Sequence, residues 1–126
     1  MLPSFRDGDM MLTRHTENIK VGDVVVIRND ELDEYLVKRV IGVSGDHIEM
    51  KDGYMYRNGE RLYEAYVSSQ TWCMDTYDVT VPEGQLFILG DNRLVSFDSR
   101  ALGCMPISDI YGKVLCNLST WQWFNN

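Results

Sequence analysis

The sequence predicts an all-β, mostly antiparallel domain, and two observations carry that prediction. Short apolar or alternating runs recur at close intervals, separated by Gly, Asn and Asp turn signals such as Asp52-Gly53 and Asn58-Gly59. A 3.6-residue apolar period is almost absent along the chain, so strands rather than amphipathic helices are expected to build the core. At 126 residues, with no internal repeat and no low-complexity segment, residues 1–126 read as one domain. That length buries a core without a metal or disulfide staple.

Taken in order, Met1-Leu2-Pro3-Ser4-Phe5 opens abruptly on apolar residues, turns at Asp7-Gly8 and continues into the apolar run Met10-Met11-Leu12. Ile19 to Asp23 is turn-like. Val24 to Arg28 is β-branched throughout its first four residues, which predicts a strand buried on both faces or nearly so. Asn29 to Glu34 is acidic and polar and suits a surface connection. Tyr35 to Gly42 is the next strand. Ile48 and Met50, then Tyr54-Met55-Tyr56, then the residues after Asn58-Gly59, read as three short antiparallel strands joined by tight turns. From Glu64 to Asp78 the alternation is lost, and Val67 to Cys73 reads as an exposed excursion with Trp72 partly buried. Val79-Thr80-Val81 and Pro82-Glu83-Gly84 lead into the strand Gln85 to Leu89. Gly90 to Gly103 reads as a loop held by its own side chains, Met105 to Ile110 as one helical turn and Tyr111 to Cys116 as the last strand. Trp121, Trp123 and Phe124 must cover the body or lie on something apolar outside it.

Composition excludes several functions. Twelve basic against nineteen acidic residues give a formal charge of −7, which does not suit nucleic acid, since phosphate binding wants a basic face. No run of 18 apolar residues is present, so nothing within these 126 residues reads as a bilayer span or a signal peptide. Cys73, Cys104 and Cys116 have no metal-ligand spacing and lie far from His15 and His47, so no metal site and no cofactor is expected. One disulfide with one buried thiol, or three buried thiols, both fit.

The most informative residue is Lys38. Side chains alternate between faces along a strand, so Lys38 shares a face with Leu36 and Val40, while Arg39 shares the other with Val37 and Ile41. A lysine between aliphatic neighbours is desolvated, which disfavours the ammonium form and makes a neutral amine available as a general base. The plainer reading is an edge-strand lysine whose stem covers apolar neighbours while its head stays in water.

Three blocks in this order resemble the type I signal peptidases, membrane-bound serine peptidases that remove signal peptides. Met1-Leu2-Pro3-Ser4-Phe5 with Gly8-Asp9 is similar to that family's Ser-Met-x-Pro-Thr/Ser-Leu box. Val37-Lys38-Arg39-Val40-Ile41-Gly42 with Gly45-Asp46 is similar to the box carrying the lysine base. Gly90-Asp91-Asn92-Arg93 with Ser96, Asp98, Ser99, Arg100 and Gly103 is similar to its Gly-Asp-Asn-Arg box, with Leu94-Val95 where the family usually has Asp-Asn. Val21-Gly22-Asp23-Val24-Val25 and Asn58-Gly59-Glu60 also match, so the resemblance runs from Met1 to about Lys113.

The resemblance implies a signal-peptidase-like β fold and a serine–lysine mechanism. Lys38 becomes the general base and Ser96 the hydroxyl that holds its amine. Asp98, Arg100 and Arg39 become a supporting ion-pair network. Met1, Phe5, Leu36 and Val37 line shallow pockets for small, alanine-like residues one and three positions before the cut. The implied partners are the signal peptides of secretory preproteins and a membrane surface, with the domain on the extracytoplasmic side. The family's nucleophile is the serine directly before the methionine of the first box, and here that methionine is Met1. The chain as it stands then has a base and no nucleophile, and Ser4, the nearest hydroxyl, falls at the Thr/Ser position of the box. Either the serine and an apolar membrane anchor lie upstream of Met1, or this is a non-catalytic relative that binds extended peptides by strand addition. A third possibility, the self-cleaving repressor type of serine–lysine peptidase, lacks the Gly-Asp-Asn-Arg box and usually brings a DNA-binding domain, which suits this acidic chain poorly.

Overall fold

A computed structural model describes residues 8–29, 34–51, 54–62, 77–90, 99 and 103–124. The strands are β1 (Met11–Arg14), β2 (Val24–Asn29), β3 (Glu34–Gly42), β4 (His47–Lys51), β5 (Tyr54–Arg57), β6 (Glu60–Arg61), β7 (Tyr77–Thr80), β8 (Gln85–Leu89), β9 (Met105–Pro106), β10 (Ile110–Asn117) and β11 (Gln122–Trp123). Every pairing among these strands is antiparallel. The larger sheet runs β1-β10-β2-β3-β8-β9, with β11 also on β10, and the smaller runs β6-β5-β4-β7. The all-β, antiparallel expectation holds.

The β-branched run Val24-Val25-Val26-Ile27 is buried on both faces, as its composition requires, and Arg28 ends the burial. One face of β2 and β3 joins Val25, Ile27, Val40, Leu86, Ile88 and Ile110 into a cluster, closed by Ile19, Leu36, Met105 and Ile107. The opposite face gathers Val24, Val26 and Val114 with Met11, Val37 and Phe124. A third cluster joins the two sheets: Ile41, Phe87 and Leu89 meet Ile48, Met50, Met55 and Val81. Gly42 lies at this junction, where a bulge interrupts the β3–β8 register between Val40 and Gly42. A Cβ there would stand 2.9 Å from Ile48 Cδ1 and 3.2 Å from Val81 Cγ2. Gly42→Ala is therefore expected to lower stability by about 1–3 kcal/mol through overpacking, read as a lower urea midpoint with an unchanged m value.

Asn58-Gly59 is the two-residue hairpin turn that its sequence predicts. Both residues have positive φ, 52° and 83°, and Arg57 pairs with Glu60 across them, the geometry that matches the twist of the flanking strands. Asp52-Gly53, the Val67 to Cys73 excursion and Trp72 lie outside the described residues.

Three expectations need correcting. Tyr77 and Asp78, read as part of a patternless stretch, belong to β7, whose register puts Tyr77 opposite Met50 and Asp78 opposite Glu49. The predicted helical turn over Met105 to Ile110 shrinks to a 3₁₀ turn at Ile107–Asp109, because Met105–Pro106 pairs with β8 and Ile110 already begins β10. Of the two readings open to Trp121 and Trp123, a lid on the core fails: they are 72% and 57% exposed, and Phe124 alone of the three aromatics packs inward. The cause is β11: pairing with β10 turns alternate residues to opposite faces, so Trp123 and Phe124 cannot both be buried.

Candidate active site

β3 positions the site. Its register with β2 sets Lys38 opposite Val25, Val37 opposite Val26 and Leu36 opposite Ile27. Lys38 therefore sits in a row of aliphatic side chains, between Leu36 and Val40, and only 6% of it is exposed. Arg39, 8% exposed, faces the other way between Val37 and Ile41, and its Nη1 donates to the Gly22 carbonyl at 3.3 Å. Leu36 packs on the Lys38 side and Val37 on the Arg39 side, so the two expected pocket residues face opposite sides of the sheet.

The turn before β2 clasps this end of β3. Gly22 N–H donates to the Val40 carbonyl and Val40 N–H to the Asp23 carbonyl, both at 2.8 Å. The Asp23 carboxylate is buried; its Oδ2 accepts the Lys20 N–H at 2.8 Å and its Oδ1 lies 3.3 Å from Lys113 Nζ. On the other side of β3, Arg39 pairs with Leu89. Gly90 directly follows Leu89 at the end of β8. Ser99 returns to the same strand, its Oγ accepting the Ile88 N–H at 2.9 Å. Gly90 and Ser99 thus both lie at β8, the strand that pairs with β3.

Asp46 is a second buried anchor. Its Oδ2 accepts Val43 N–H at 3.0 Å and Arg57 Nε–H at 2.8 Å, and its Oδ1 accepts the Asn58 amide at 3.1 Å. Burial pushes the Asp46 carboxyl up, but the bonds from Arg57, Val43 and Asn58 outweigh it and hold the group below the ordinary carboxylate range. Asn58 also returns two bonds to the His47 backbone, each 2.8 Å. Gly45-Asp46 and Asn58-Gly59, separate signals in the sequence, are one structure that fixes the turn after β3. At the front of the described chain, the buried Asn117 donates to Asp9 Oδ2 at 2.8 Å, and Met10 N–H donates to Ser119 Oγ at 2.9 Å.

Of the residues predicted for the site, the structure brings Leu36, Val37, Lys38 and Arg39 together on β3. Met1, Phe5, Ser96, Asp98 and Arg100 lie outside the described residues. Sequence reasoning left the buried Asp23–Lys113 pair unassigned, and only the charge of Asp23 directly before the β-branched run Val24 to Ile27 hinted at it. Cys104 and Cys116 are free thiols, the first partly buried and pushed up by that burial, the second fully buried; Cys73 lies outside the described residues. Among the described residues no group of three or more His, Cys, Asp or Glu is placed to hold a metal ion, and no helix is long and apolar enough to cross a membrane.

Comparison with known proteins places this geometry. Residues 1–119 match the family model described as signal peptidase, peptidase S26. Signal peptidase I of Bacillus licheniformis is 38% identical over 113 residues, covering 79% of this chain and 61% of that protein. Signal peptidase I T of Bacillus subtilis (strain 168) is 36% identical over 126 residues, covering 89% of this chain and 65% of that protein. The crystal structure of a signal peptidase I from Enterococcus faecalis V583 superposes with a TM-score of 0.65 at 30% identity, covering 75% of this chain and 95% of that one. The chain spans less than two thirds of the length of these Bacillus relatives. Since the matched span takes in the Lys38 strand, its β2 and β8 neighbours and β10, the chain belongs to the signal peptidase family, peptidase S26.

Proposed function

We propose that this chain is the extracytoplasmic, catalytic-type domain of a signal peptidase I that removes signal peptides from exported preproteins through a serine–lysine dyad. The observation that carries the reading is Lys38, a cationic side chain buried within an aliphatic row, where desolvation favours the neutral amine. That amine takes the proton of a serine directly preceding Met1 in the intact protein as the serine attacks the carbonyl after a small residue. An acyl-enzyme forms, and water activated by the same amine releases it. The backbone N–H of that serine and a hydroxyl two residues before it serve as oxyanion donors.

Ser96 holds the Lys38 amine. This role is supported by the two described residues nearest Ser96 in sequence: Gly90 directly follows β8, which pairs with β3, and Ser99 accepts the Ile88 N–H of the same strand. Asp98 and Arg100, which flank Ser99 in sequence, support Arg39. Met1, Phe5, Leu36 and Val37 line the pockets for small side chains, and Leu36 is the one of the β3 pair that shares the face of Lys38. No metal or cofactor enters this chemistry. An apolar anchor upstream of Met1 holds the protein at the bilayer, and the exposed Met10, Leu12, Trp121 and Trp123 around β1 and β11 suit contact with the membrane interface.

A protein carrying serine directly before Met1 is expected to cleave a signal-sequence peptide after an alanine. The same protein with alanine at that position, and the 126-residue chain alone, are expected to show only background. Equal turnover by the chain alone would overturn the proposal. Binding of the peptide without cleavage by every form would leave the domain a peptide-binding module.

A further inference from the structure

Lys113 of β10 and Lys38 of β3 lie in one cross-strand row. Lys113 pairs with Val25 and Val25 pairs with Lys38, and paired residues project to the same face of a sheet. Asp23, two residues before Val25, shares this face and sits alongside Val40 through the Val40 N–H···O=C Asp23 bond. It is thus a diagonal neighbour of Lys38, at a backbone separation of about 7–8 Å. Its carboxylate is buried, and Lys113 Nζ stands 3.3 Å from Oδ1. Among the described residues around Lys38, this face receives Asp23 from the turn before β2, Lys113 from β10 and, beyond Lys113 in the same row, Arg14 of β1. From β8 it receives the uncharged Leu86 and Ile88.

We propose that Lys113 is a positioning residue for the reaction: by engaging the Asp23 carboxylate, it keeps that buried charge from holding Lys38 as an ammonium ion. The consequence for activity rests on Lys38 being the base, as proposed above. The electrostatic coupling among Asp23, Lys113 and Lys38 holds whatever reaction Lys38 serves. Without Lys113, the buried carboxylate loses an ammonium partner, and its charge weighs more heavily in favour of the protonated form of Lys38. Without Asp23, the Lys113 ammonium is left in the row and repels a second positive charge on Lys38. The two losses must act in opposite directions.

The test is a titration of Lys38 by NMR in the 126-residue chain carrying ¹³C-labelled lysine, the Lys38 signal being assigned by its absence in Lys38→Met. Lys113→Met is expected to move the Lys38 midpoint to higher pH by on the order of one unit, the size of shift that a unit charge at this range produces. Asp23→Asn is expected to move it to lower pH, Asp23→Asn with Lys113→Met to bring it back near the starting value, and Lys113→Arg to leave it there. A purely structural role would not give shifts of opposite sign that cancel in the double variant. If Lys113→Met does not fold, Asp23→Asn decides by the direction of its shift. An unmoved or upward-moving midpoint in Asp23→Asn overturns the inference. Because the signal is read without turnover, its failure is distinct from failure of the catalytic reading, which the cleavage assay of Lys38 variants decides.

Discussion

Replacing Lys38 by methionine in a serine-bearing form of the protein is expected to lower kcat/KM for a signal-sequence peptide by at least about 10³-fold, the scale of a general base lost from a covalent mechanism. Methionine keeps most of the stem that packs between Leu36 and Val40 and opposite Val25, so thermal unfolding should stay near that of the parent. Lys38→Ala should lose as much activity while leaving a small void. In the parent, the rate should climb with pH, because the base works only when deprotonated and burial favours that form. Lys38→Met turning over at a near-parent rate would sink the dyad, and a flat profile between about pH 5 and 9 would contradict a lysine base.

The largest effect on stability is expected at Asp46. Asp46→Ala removes the acceptor for Arg57, Val43 N–H and Asn58 together. The loss is put at about 2–4 kcal/mol, towards the lower end because Arg57 is partly solvated. Since the folded carboxyl is held below its ordinary range, the unfolded chain binds the proton more readily than the native one. The contribution of Asp46 is therefore full above the ordinary aspartate value and fades as pH falls through the lowered native one. Urea denaturation across the acid range should show a steep loss for the parent and a shallower one for Asp46→Asn. Parallel acid limbs would mean that other carboxylates dominate.

What was legible in the sequence was local. The placement of Lys38 among aliphatic neighbours follows from alternation within one strand, and the Asn58-Gly59 turn from the backbone freedom that two adjacent positive φ values demand. The buried run Val24 to Ile27 announces itself by its β-branching. What was not legible depends on pairing between distant segments. Asp46 finds Arg57 and Asn58 only once β4 and β5 fold back on each other, and Asp23 meets Lys113 only because β10 returns beside β2. β11 is two residues long and carries no alternation of its own, so nothing before the pairing tells which aromatic it turns outward. The candidate site follows the same division: β3 supplied its residues by pattern, and the family's boxes supplied the rest by resemblance.

Adjacent cations on opposite faces of β3 give the sheet a proofreading task. Slipping β3 by a single residue against β2 would bring the guanidinium of Arg39 into the aliphatic row and send Lys38 to the Gly22 carbonyl. Such a slipped sheet could keep most of its backbone hydrogen bonds, yet a guanidinium does not give up its proton and so cannot act as the base. The clasp of Gly22 and Asp23 on Val40, together with the bulge before Gly42, therefore does more than stabilise an edge of the fold. It separates the register that sets an amine in the aliphatic row, as the proposed mechanism requires, from a folded isomer that sets a guanidinium there.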